Sequence, residues 1–269
     1  MSPPCRWTTS CRQLLGRYHE AVMQDKVIVI VGASAGIGAA LAEHVAALGA
    51  RVGLVARRED ALAAVVERCG ERAIAIAADA TRREEVRRVV TTALERFGHI
   101  DVWVNNVGRG ITRLPSDLTD ADIDQMMQVN VKSALYGMQE VLPHFKARGE
   151  GQIINVSSML GRMPLALQRS AYSASKHFLN SLTANFRTEV HATHPGIQIS
   201  LVSPGVVATE FGLNAVHGGV DSREIPGSQS AQEVSAVIAD VIETRRADVY
   251  TRAGAREAVA RYYAEEPTA

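Results

Sequence analysis

A tyrosine and a lysine stand four residues apart in the stretch AYSASK, as Tyr172 and Lys176. If this stretch is helical, the two side chains lie on one face, so the ammonium can approach the phenol. A free tyrosine has a pKa of about 10, and a nearby cation lowers that value toward the range in which a general acid or base works. The same pair is common on helices that carry no chemistry, so other residues must support the prediction.

Three glycines follow a β-branched run in VIVIVGASAGIGAAL, at Gly32, Gly36 and Gly38. Their placement predicts a strand, a tight turn and the start of a helix. At such a helix N-terminus the unpaired backbone N–H groups and the helix dipole favour an anion, and the glycines let the pyrophosphate of a dinucleotide approach. A tight connection without a ligand is the alternative, because a glycine triplet alone is a weak signal.

Two arginines, Arg57 and Arg58, end the next apolar run, in GLVARRED. In a dinucleotide-binding fold an acid about 20 residues past the glycine turn binds the ribose 2′-hydroxyl of NAD, whereas an arginine accommodates the 2′-phosphate of NADP. Guanidinium groups suit phosphate in charge and in forked geometry, and the next acid, Glu59, is expected inside the following helix. The pair therefore predicts a preference for NADP(H) over NAD(H). The alternative is two solvated side chains at a helix start.

Composition sets the broad class of protein. The chain has 269 residues, of which 46% are apolar, so it is long enough to bury a large core. Its 29 basic and 29 acidic residues cancel, and the net charge therefore gives no indication of nucleic acid or a membrane as partner. No apolar run reaches the roughly 18 residues of a membrane span. Three cysteines without disulfide or metal-ligand spacing favour a cytoplasmic protein.

Apolar runs of strand length alternate with amphipathic stretches, which is typical of a doubly wound, Rossmann-type α/β fold with a parallel sheet of about seven strands. One helix is expected over Ser116 to Arg148, with a late bend at Pro143. We predict a single domain over residues 25–269 and a loosely ordered extension over residues 1–24. The predicted strands lie near 26–31, 51–56, 73–78, 101–105, 152–157, 197–202 and 248–251.

Six motifs, in order along the chain, resemble those of the single-domain short-chain dehydrogenase/reductase family. They are GASAGIG at 32–38, NNVG at 105–108, VN at 129–130, INVSS at 154–158, YSASK at 172–176 and SPGVVAT at 203–209. Any one of them is weak, but together, in the family's order and approximate spacing, they are a strong indication. Val31 departs from the threonine usual before the first glycine, and Val107 replaces the alanine of NNAG. Both are small and apolar, so the chemistry is expected to survive.

The resemblance implies a catalytic set of four residues. Tyr172 matches the residue that exchanges a proton with the reacting oxygen, and Lys176 matches the one that lowers the pKa of the tyrosine and holds the nicotinamide ribose. Ser158 matches the hydroxyl that hydrogen-bonds the reacting oxygen, with Ser157 as the alternative. Asn130 matches an asparagine that distorts its helix and holds a water in a proton relay.

The resemblance also implies a dinucleotide site. Asp79 matches an acid that contacts the adenine amino group, although a helix cap is an equally good interpretation. Thr209 matches a hydroxyl near the nicotinamide carboxamide, and Asn106 and Gly108 match the segment near the adenosine. The predicted cofactor-binding residues are Gly32, Ser34, Gly36, Ile37, Gly38, Arg57, Arg58, Asp79, Asn106, Gly108, Tyr172, Lys176, Pro204, Gly205 and Thr209.

These features predict an oxidoreductase that uses NADP(H) to reduce a carbonyl or oxidise a secondary alcohol, with a small molecule as its substrate. One alternative is a dinucleotide-sensing regulatory protein, against which the retention of Ser158, Tyr172 and Lys176 argues. The other is a nucleotide-sugar epimerase or dehydratase of the extended branch of the superfamily. Such enzymes are usually longer and space their glycines differently.

Three further expectations concern the rest of the chain. The resemblance implies a homodimer or homotetramer. Residues 210–228, rich in glycine and polar side chains, are expected to form a substrate lid or a plain flexible loop. No metal site is expected, because His191 and His194 lie three apart without a third ligand.

Overall fold

The computed structural model describes residues 22–265, and its centre is one sheet of seven parallel strands. The strands are β1 (Val27–Val31), β2 (Arg51–Ala56), β3 (Ala73–Ala77), β4 (Val102–Asn105), β5 (Gly151–Val156), β6 (Ile197–Ser203) and β7 (Asp248–Tyr250). They run in the order β3-β2-β1-β4-β5-β6-β7, and every neighbouring pair is parallel. The predicted Rossmann-type α/β fold is confirmed, and each strand ends within one residue of its predicted bounds.

Helices cover both faces of the sheet. Those with described bounds are α1 (Gly36–Ala47), α2 (Glu59–Cys69), α3 (Arg83–Phe97), α4 (Asp120–Met127), α5 (Ser133–Arg148), α6 (Ser170–Thr193), α7 (Ala231–Thr244) and α8 (Ala255–Ala264). Among residues 22–265, no helix has the length and apolar character to cross a membrane.

Alternate residues of each strand pack into two apolar layers, one on each face of the sheet. In β1, Ile28 and Ile30 pack with α1, α2 and α7, whereas Val29 and Val31 pack with α3, α5 and α6. This double burial accounts for the uninterrupted apolar sequence VIVIV of the strand. The strand order reverses between β1 and β4, and in open α/β sheets ligands bind outside the carboxyl ends of the strands at such a point.

The segment from Ser116 to Arg148 is not the single helix that the sequence predicted. α4 begins after Thr119, whose hydroxyl accepts a hydrogen bond from Asp122 N, while the Asp122 carboxylate accepts one from Thr119 N at 3.0 Å. This capping box fixes the start of the helix. Residues Gln128–Lys132 then form a π-helical turn, and α5 continues from there through Pro143.

The packed part of the chain begins before the predicted boundary at residue 25. Met23 is fully buried in the apolar layer that contains α1, and its carbonyl oxygen accepts a hydrogen bond from Lys26 N at 3.1 Å. The sequence had placed Met23 in the extension because the residues before it lack apolar periodicity. Residues 1–21 of that extension lie outside the described residues, so their expected loose order stays a prediction.

Gly38 lets α1 pack closely against the turn that precedes it. A Cβ at this position would overlap the carbonyl oxygen of Gly32 and would lie 2.7 Å from Asn106 Nδ2. The carbonyl oxygen belongs to the backbone, which cannot rotate away as a flexible side chain could. The close approach of helix and strand is therefore the reason for a glycine here.

We expect Gly38→Ala to lower the free energy of unfolding by about 1–3 kcal/mol, because the added methyl must displace backbone. Gly53→Ala in β2 is the matched control, since its Cβ would meet Val29 Cγ2 at an ordinary 3.4 Å. Urea unfolding of the two variants and the unmodified chain measures the difference. Equal stability of the two variants would contradict this explanation of Gly38.

Candidate active site

A cleft of about 2100 Å³ opens at the carboxyl ends of the strands. Its volume exceeds the roughly 300–1,000 Å³ of a typical small-ligand pocket, which leaves room for a dinucleotide together with a substrate. The predicted site residues that line it are Gly32, Ser34, Gly36, Ile37, Arg57, Arg58, Asp79, Asn106, Gly108, Ser158, Tyr172, Lys176, Pro204, Gly205 and Thr209. Two predicted residues, Gly38 and Asn130, lie behind this surface and not on it.

The glycine turn forms one wall of the cleft. Gly32 has a φ of +91° and Gly36 a φ of +57°, a backbone conformation that other residues rarely adopt. α1 begins directly after Ala35, and no described side chain caps its first N–H groups. This N-terminus faces the cleft together with Ser34 and Ile37. It offers the backbone donors and the dipole that bind a pyrophosphate.

The two arginines after β2 lie on the same wall. Arg57 and Arg58 are exposed and line the cleft, and within the described residues neither guanidinium has an ion-pair partner. Glu59 is the first residue of α2, as predicted. The cleft-lining Glu43 is paired with Arg68 at 2.7 Å. As far as the described residues show, this part of the wall presents two guanidinium charges that are not paired with an acid, a surface that suits a phosphate.

Tyr172, Lys176 and Ser158 come together in the cleft. Tyr172 lies in the first turn of α6 and Lys176 one turn later, so Lys176 Nζ is 5.8 Å from the centroid of the tyrosine ring. Lys176 Nζ also donates a hydrogen bond to the carbonyl oxygen of Val156, at the end of β5. Ser158 lies two residues after the end of that strand. The end of β5 and the start of α6 thus bring Ser158 together with the pair Tyr172 and Lys176.

Burial dominates the acidity of this group. It raises the pKa of Tyr172 to about 12, while the nearby Ser158 hydroxyl and the charge of Arg169 act in the opposite direction. Burial also lowers the pKa of Lys176 to about 8. The sequence led us to expect that Lys176 would lower the pKa of Tyr172, but the net shift of the tyrosine is upward. Desolvation of the phenolate outweighs the Ser158 hydrogen bond and the charge of Arg169, so the phenol is protonated at neutral pH.

The two serines after β5 have separate roles. Ser157 is buried, and its hydroxyl donates to Asn180 Oδ1 at 2.5 Å, so it is engaged in the packing of α6. Ser158 is partly exposed in the cleft, close enough to the phenol to lower its pKa, and its Oγ accepts a hydrogen bond from Leu160 N at 3.1 Å. The geometry therefore favours Ser158 over Ser157 as the hydroxyl that faces a reacting oxygen.

Comparison with known proteins identifies the family. The family profile described as short chain dehydrogenase matches residues 26–218, which contain the glycine turn, Ser158, Tyr172 and Lys176. The chain belongs to the short-chain dehydrogenase family. It is an oxidoreductase of that family. An uncharacterized oxidoreductase of Staphylococcus saprophyticus is 38% identical to it over 194 residues. That match covers 70% of this chain and 80% of the relative.

Solved structures of short-chain dehydrogenases and related enzymes share the fold. A short chain dehydrogenase/reductase from Burkholderia phymatum, solved in complex with NAD, superposes with a TM-score of 0.82 at 24% identity, over 92% of this chain and 98% of its own. An alcohol dehydrogenase from Thermococcus sibiricus, complexed with 5-hydroxy-NADP, gives a TM-score of 0.75 at 25% identity, over 91% of this chain and 100% of its own.

Asn130 supports the site of this short-chain dehydrogenase from behind. It is fully buried in the π-helical turn Gln128–Lys132. Its Oδ1 accepts from Arg109 N at 2.8 Å, and its Nδ2 donates to the carbonyl oxygen of Arg109 at 3.0 Å and to Ser175 Oγ at 3.1 Å. Asn130 thereby fixes the backbone next to Gly108, which lines the cleft.

A buried amide network that the sequence did not reveal supports the floor of the cleft. Asn105, the last residue of β4, donates to Asn155 Oδ1 at 2.8 Å and accepts from Trp103 Nε1 at 2.8 Å. Asn155 in turn donates to Thr183 Oγ1 at 2.9 Å. Neighbouring Asn106 donates to the carbonyl oxygen of Gly32 at 2.9 Å. These bonds fix β4, β5, α6 and the glycine turn relative to one another. Only knowledge of which strands are neighbours could have predicted them.

Asp79 and Thr209 have local roles as well as places on the cleft. Asp79 Oδ1 accepts from the backbone N and the hydroxyl of Thr81, at 2.9 and 2.8 Å. This turn-stabilising role agrees with the cap interpretation, and Asp79 also lines the cleft. The Thr209 methyl lies 3.3 Å from the position of a Cβ at Gly36, so the segment after β6 packs on the glycine turn.

Residues 210–228 pack against the rest of the chain, and Phe211 at their start lies on Tyr172. The ring of Phe211 packs edge-on against that of Tyr172, with 5.6 Å between centroids. His217, at a φ of +63°, contacts Asp122 on α4 through its Nε2, 2.8 Å from Oδ1. Backbone bonds also join Val216 to the residues after β4. The segment is tied down at its centre, so any motion of the predicted lid requires these contacts to break.

His191 and His194 are not among the described residues that line the cleft. His191 is exposed near the end of α6, and His194 Nδ1 lies 2.8 Å from the Thr193 hydroxyl. Among residues 22–265, no group of three or more histidine, cysteine or acidic side chains is placed to hold a metal ion.

The buried Lys176 makes a prediction about pH. Its folded-state pKa of about 8 lies below the ordinary 10.5, so between those values the unfolded chain binds more protons than the folded chain. Stability contributed by this residue therefore rises with pH across that window, with a slope of at most about 1.4 kcal/mol per pH unit.

We expect urea unfolding at a series of pH values to reveal that rise as a difference between the unmodified chain and Lys176→Met. Lys146→Met, at an exposed position on α5, is the control and keeps the rise. A Lys176→Met variant with the same pH dependence as the unmodified chain would contradict the buried charge.

Proposed function

We propose that this short-chain dehydrogenase uses NADP(H) to reduce a carbonyl compound or to oxidise a secondary alcohol. The observation that carries the proposal is the convergence of Tyr172, Lys176 and Ser158 in the same cleft as the glycine turn. A proton donor, a cation and a hydroxyl are the groups that a reacting carbonyl oxygen requires. The open N-terminus of α1 supports a bound dinucleotide within the same cleft.

Tyr172 supplies the proton in this mechanism. A bound nicotinamide cofactor supplies the hydride that forms the new C–H bond, or accepts it when an alcohol is oxidised. In reduction the O–H bond of Tyr172 breaks as the substrate oxygen gains the proton, and the raised pKa keeps the phenol protonated and ready to donate. Ser158 donates a hydrogen bond to the same oxygen, and the charge of Lys176 stabilises the phenolate that remains.

The proposed preference for NADP(H) depends on Arg57 and Arg58. Both line the cleft at the carboxyl end of β2, where the ribose 2′-substituent of a dinucleotide lies in such folds. The two solved structures named above carry NAD and an NADP derivative. They support a nicotinamide dinucleotide as the cofactor and leave its 2′-phosphate to be decided by the residues of this chain. The charge of this wall favours the phosphate.

Two other functions fit the fold less well. A regulatory protein that only senses a dinucleotide has no need for a tyrosine, a lysine and a serine gathered at the far part of the cleft. An epimerase or dehydratase of nucleotide sugars is disfavoured by the glycine spacing.

Steady-state consumption of NADPH with a panel of aldehydes, ketones and keto acids tests the proposal. We expect at least one class of carbonyl compound to be reduced, with the alcohol as product. If NADPH binds tightly but no carbonyl compound is reduced, and no alcohol is oxidised with NADP, the result would favour the dinucleotide-sensing regulatory protein.

The remaining expectations are proposals of the same kind. A homodimer or homotetramer follows from the family resemblance, and a half-exposed phenylalanine on α6, Phe178, is compatible with a covered helix face. We also propose one catalytic domain over residues 25–269, to whose core Met23 of the preceding segment contributes its side chain. A cytoplasmic location is proposed from the cysteine pattern, and the described Cys69 is a free thiol.

A further inference from the structure

Arg169 is a half-buried cation, and one of its guanidinium nitrogens lacks a hydrogen-bond partner within the described part of the chain. It immediately precedes α6, lines the cleft and is half-buried. Its Nη1 is shielded from solvent, and within the described residues this atom has no hydrogen-bond acceptor. A buried guanidinium donor without an acceptor is unfavourable. A guanidinium donor of this kind in a cleft indicates that a bound ligand supplies the missing hydrogen-bond acceptor.

The guanidinium shares a pocket with the catalytic tyrosine. The position of a Cβ at Gly110 lies 2.6 Å from Arg169 Nη1 and 3.1 Å from Phe211 Cε1. Phe211 is the residue whose ring packs against Tyr172. The charge of Arg169 also acts on the Tyr172 phenol. The absence of a side chain at Gly110 therefore leaves space for the guanidinium close to Phe211, the ring that packs on Tyr172.

The acids near this pocket already have partners. Asp122 is paired with Arg113 at 2.8 Å, and Glu210 lies 3.4 Å from Arg223. The one charge interaction that opposes the effect of burial on the Arg169 pKa comes, within the described residues, from Tyr172, which is no counterion while protonated. Arg169 thus retains its full positive charge inside the cleft.

A second polar group without a hydrogen-bond partner lies beside the guanidinium. The position of a Cβ at Gly219 is 2.8 Å from Arg169 Nη2 and 3.1 Å from Thr112 Oγ1. The Thr112 hydroxyl is buried and, among the described residues, also has no hydrogen-bond partner. Arg169 lines the cleft and Thr112 does not, so the guanidinium is the group of this pair that an anionic ligand of the cleft would meet.

We propose that Arg169 binds a carboxylate of the substrate, so that the substrates are keto acids or hydroxy acids whose reacting carbon lies at Tyr172. This inference rests on the proposed function and names its substrate class. The planar fork of a guanidinium matches the two oxygens of a carboxylate. Arg169 is the residue before α6 and Tyr172 lies in the first turn of that helix, and both line the cleft. Binding of the carboxylate therefore orients the carbonyl toward the proton donor.

Matched acids and esters test the contact. We expect the unmodified chain with NADPH to reduce levulinate, pyruvate or benzoylformate with a higher kcat/KM than the corresponding methyl ester. Arg169→Gln should lower the acid-to-ester ratio of kcat/KM by about tenfold to a hundredfold, the value of a hydrogen bond to a charged group. Arg169→Lys, which keeps the charge and loses the fork, should fall between the two.

The ratio separates binding from other roles of Arg169. Loss of its charge also changes the acidity of Tyr172, but that effect acts equally on acid and ester. Arg109→Met is the control for net charge, because Arg109 lines the same cleft and its Nε donates to the Asn214 carbonyl oxygen at 3.1 Å. A ratio that Arg169→Gln leaves unchanged, or that Arg109→Met lowers equally, would overturn the proposal, as would a chain that prefers the esters.

A binding measurement keeps this test independent of turnover. With NADP bound, benzoate should raise the melting temperature of the unmodified chain more than benzamide does, and Arg169→Gln should lose that difference. If no carbonyl compound is reduced, the proposed function fails, yet loss of the benzoate effect in Arg169→Gln still supports the carboxylate site. An equal benzoate effect in both proteins, with circular dichroism confirming that the variant is folded, rejects it.

Discussion

Tyr172→Phe is expected to lower kcat for carbonyl reduction by about a hundredfold to ten-thousandfold, the usual contribution of a positioned general acid. The substitution removes one hydroxyl and keeps the ring, which packs edge-on against Phe211. The raised pKa of Tyr172 makes it a proton donor at neutral pH, and Phe has no proton to give. Binding of NADPH, measured by calorimetry, should be nearly unchanged because the ring still fills its place.

A matched control distinguishes the reaction from the fold. Tyr136→Phe removes the same hydroxyl from a partly buried tyrosine on α5, outside the cleft. We expect that variant to keep its turnover. A Tyr172→Phe enzyme with a near-normal rate would remove Tyr172 from the mechanism, and a variant that also loses NADPH binding would point to a structural role instead.

The second large effect concerns the cofactor phosphate. One charge-assisted hydrogen bond is worth about 1.5–3 kcal/mol, so Arg57 alone should favour NADPH over NADH by about tenfold to a hundredfold in kcat/KM. Arg57→Asp should erase or invert that preference, because a carboxylate repels the phosphate and can accept a hydrogen bond from the ribose hydroxyl of NADH. Arg58→Ala should give a smaller loss in the same direction.

The control for this charge reversal is Arg261→Asp, at an exposed position on α8 that does not line the cleft. It changes the net charge by the same amount and should leave the cofactor ratio as it is. Kinetics with both cofactors at fixed ionic strength measure the ratio. A clear preference of the unmodified chain for NADH would contradict the proposed role of both arginines.

Local patterns in the sequence were sufficient to predict the sheet. The seven strands are short apolar runs between amphipathic helices, and the parallel order follows from that alternation. The glycine turn could be predicted for the same reason, since positive φ at Gly32 and Gly36 is a local requirement. The capping box of Thr119 and Asp122 is also a local pattern, because its two residues lie three apart in the sequence.

Contacts between distant residues could not be read in this way. The π turn at Asn130 depends on the backbone of Arg109, and the amide network of Asn105 depends on β5 and α6. Nor could the acidity of Tyr172 be inferred from its spacing to Lys176, because burial and not the neighbouring cation determines the direction of the shift. The sequence also could not predict that Arg169 Nη1 lacks a hydrogen-bond acceptor among the described residues, because that is visible only in three dimensions.

The central claim is hydride transfer to a carbonyl carbon with Tyr172 as the proton donor. NADPH that carries deuterium at both C4 positions, incubated with the chain and a panel of ketones and keto acids, tests it directly when the products are examined by mass spectrometry. We predict an alcohol with one deuterium on the former carbonyl carbon, formed by the unmodified chain and almost absent with Tyr172→Phe. An alcohol without deuterium, or no alcohol from any member of the panel, would contradict the claim.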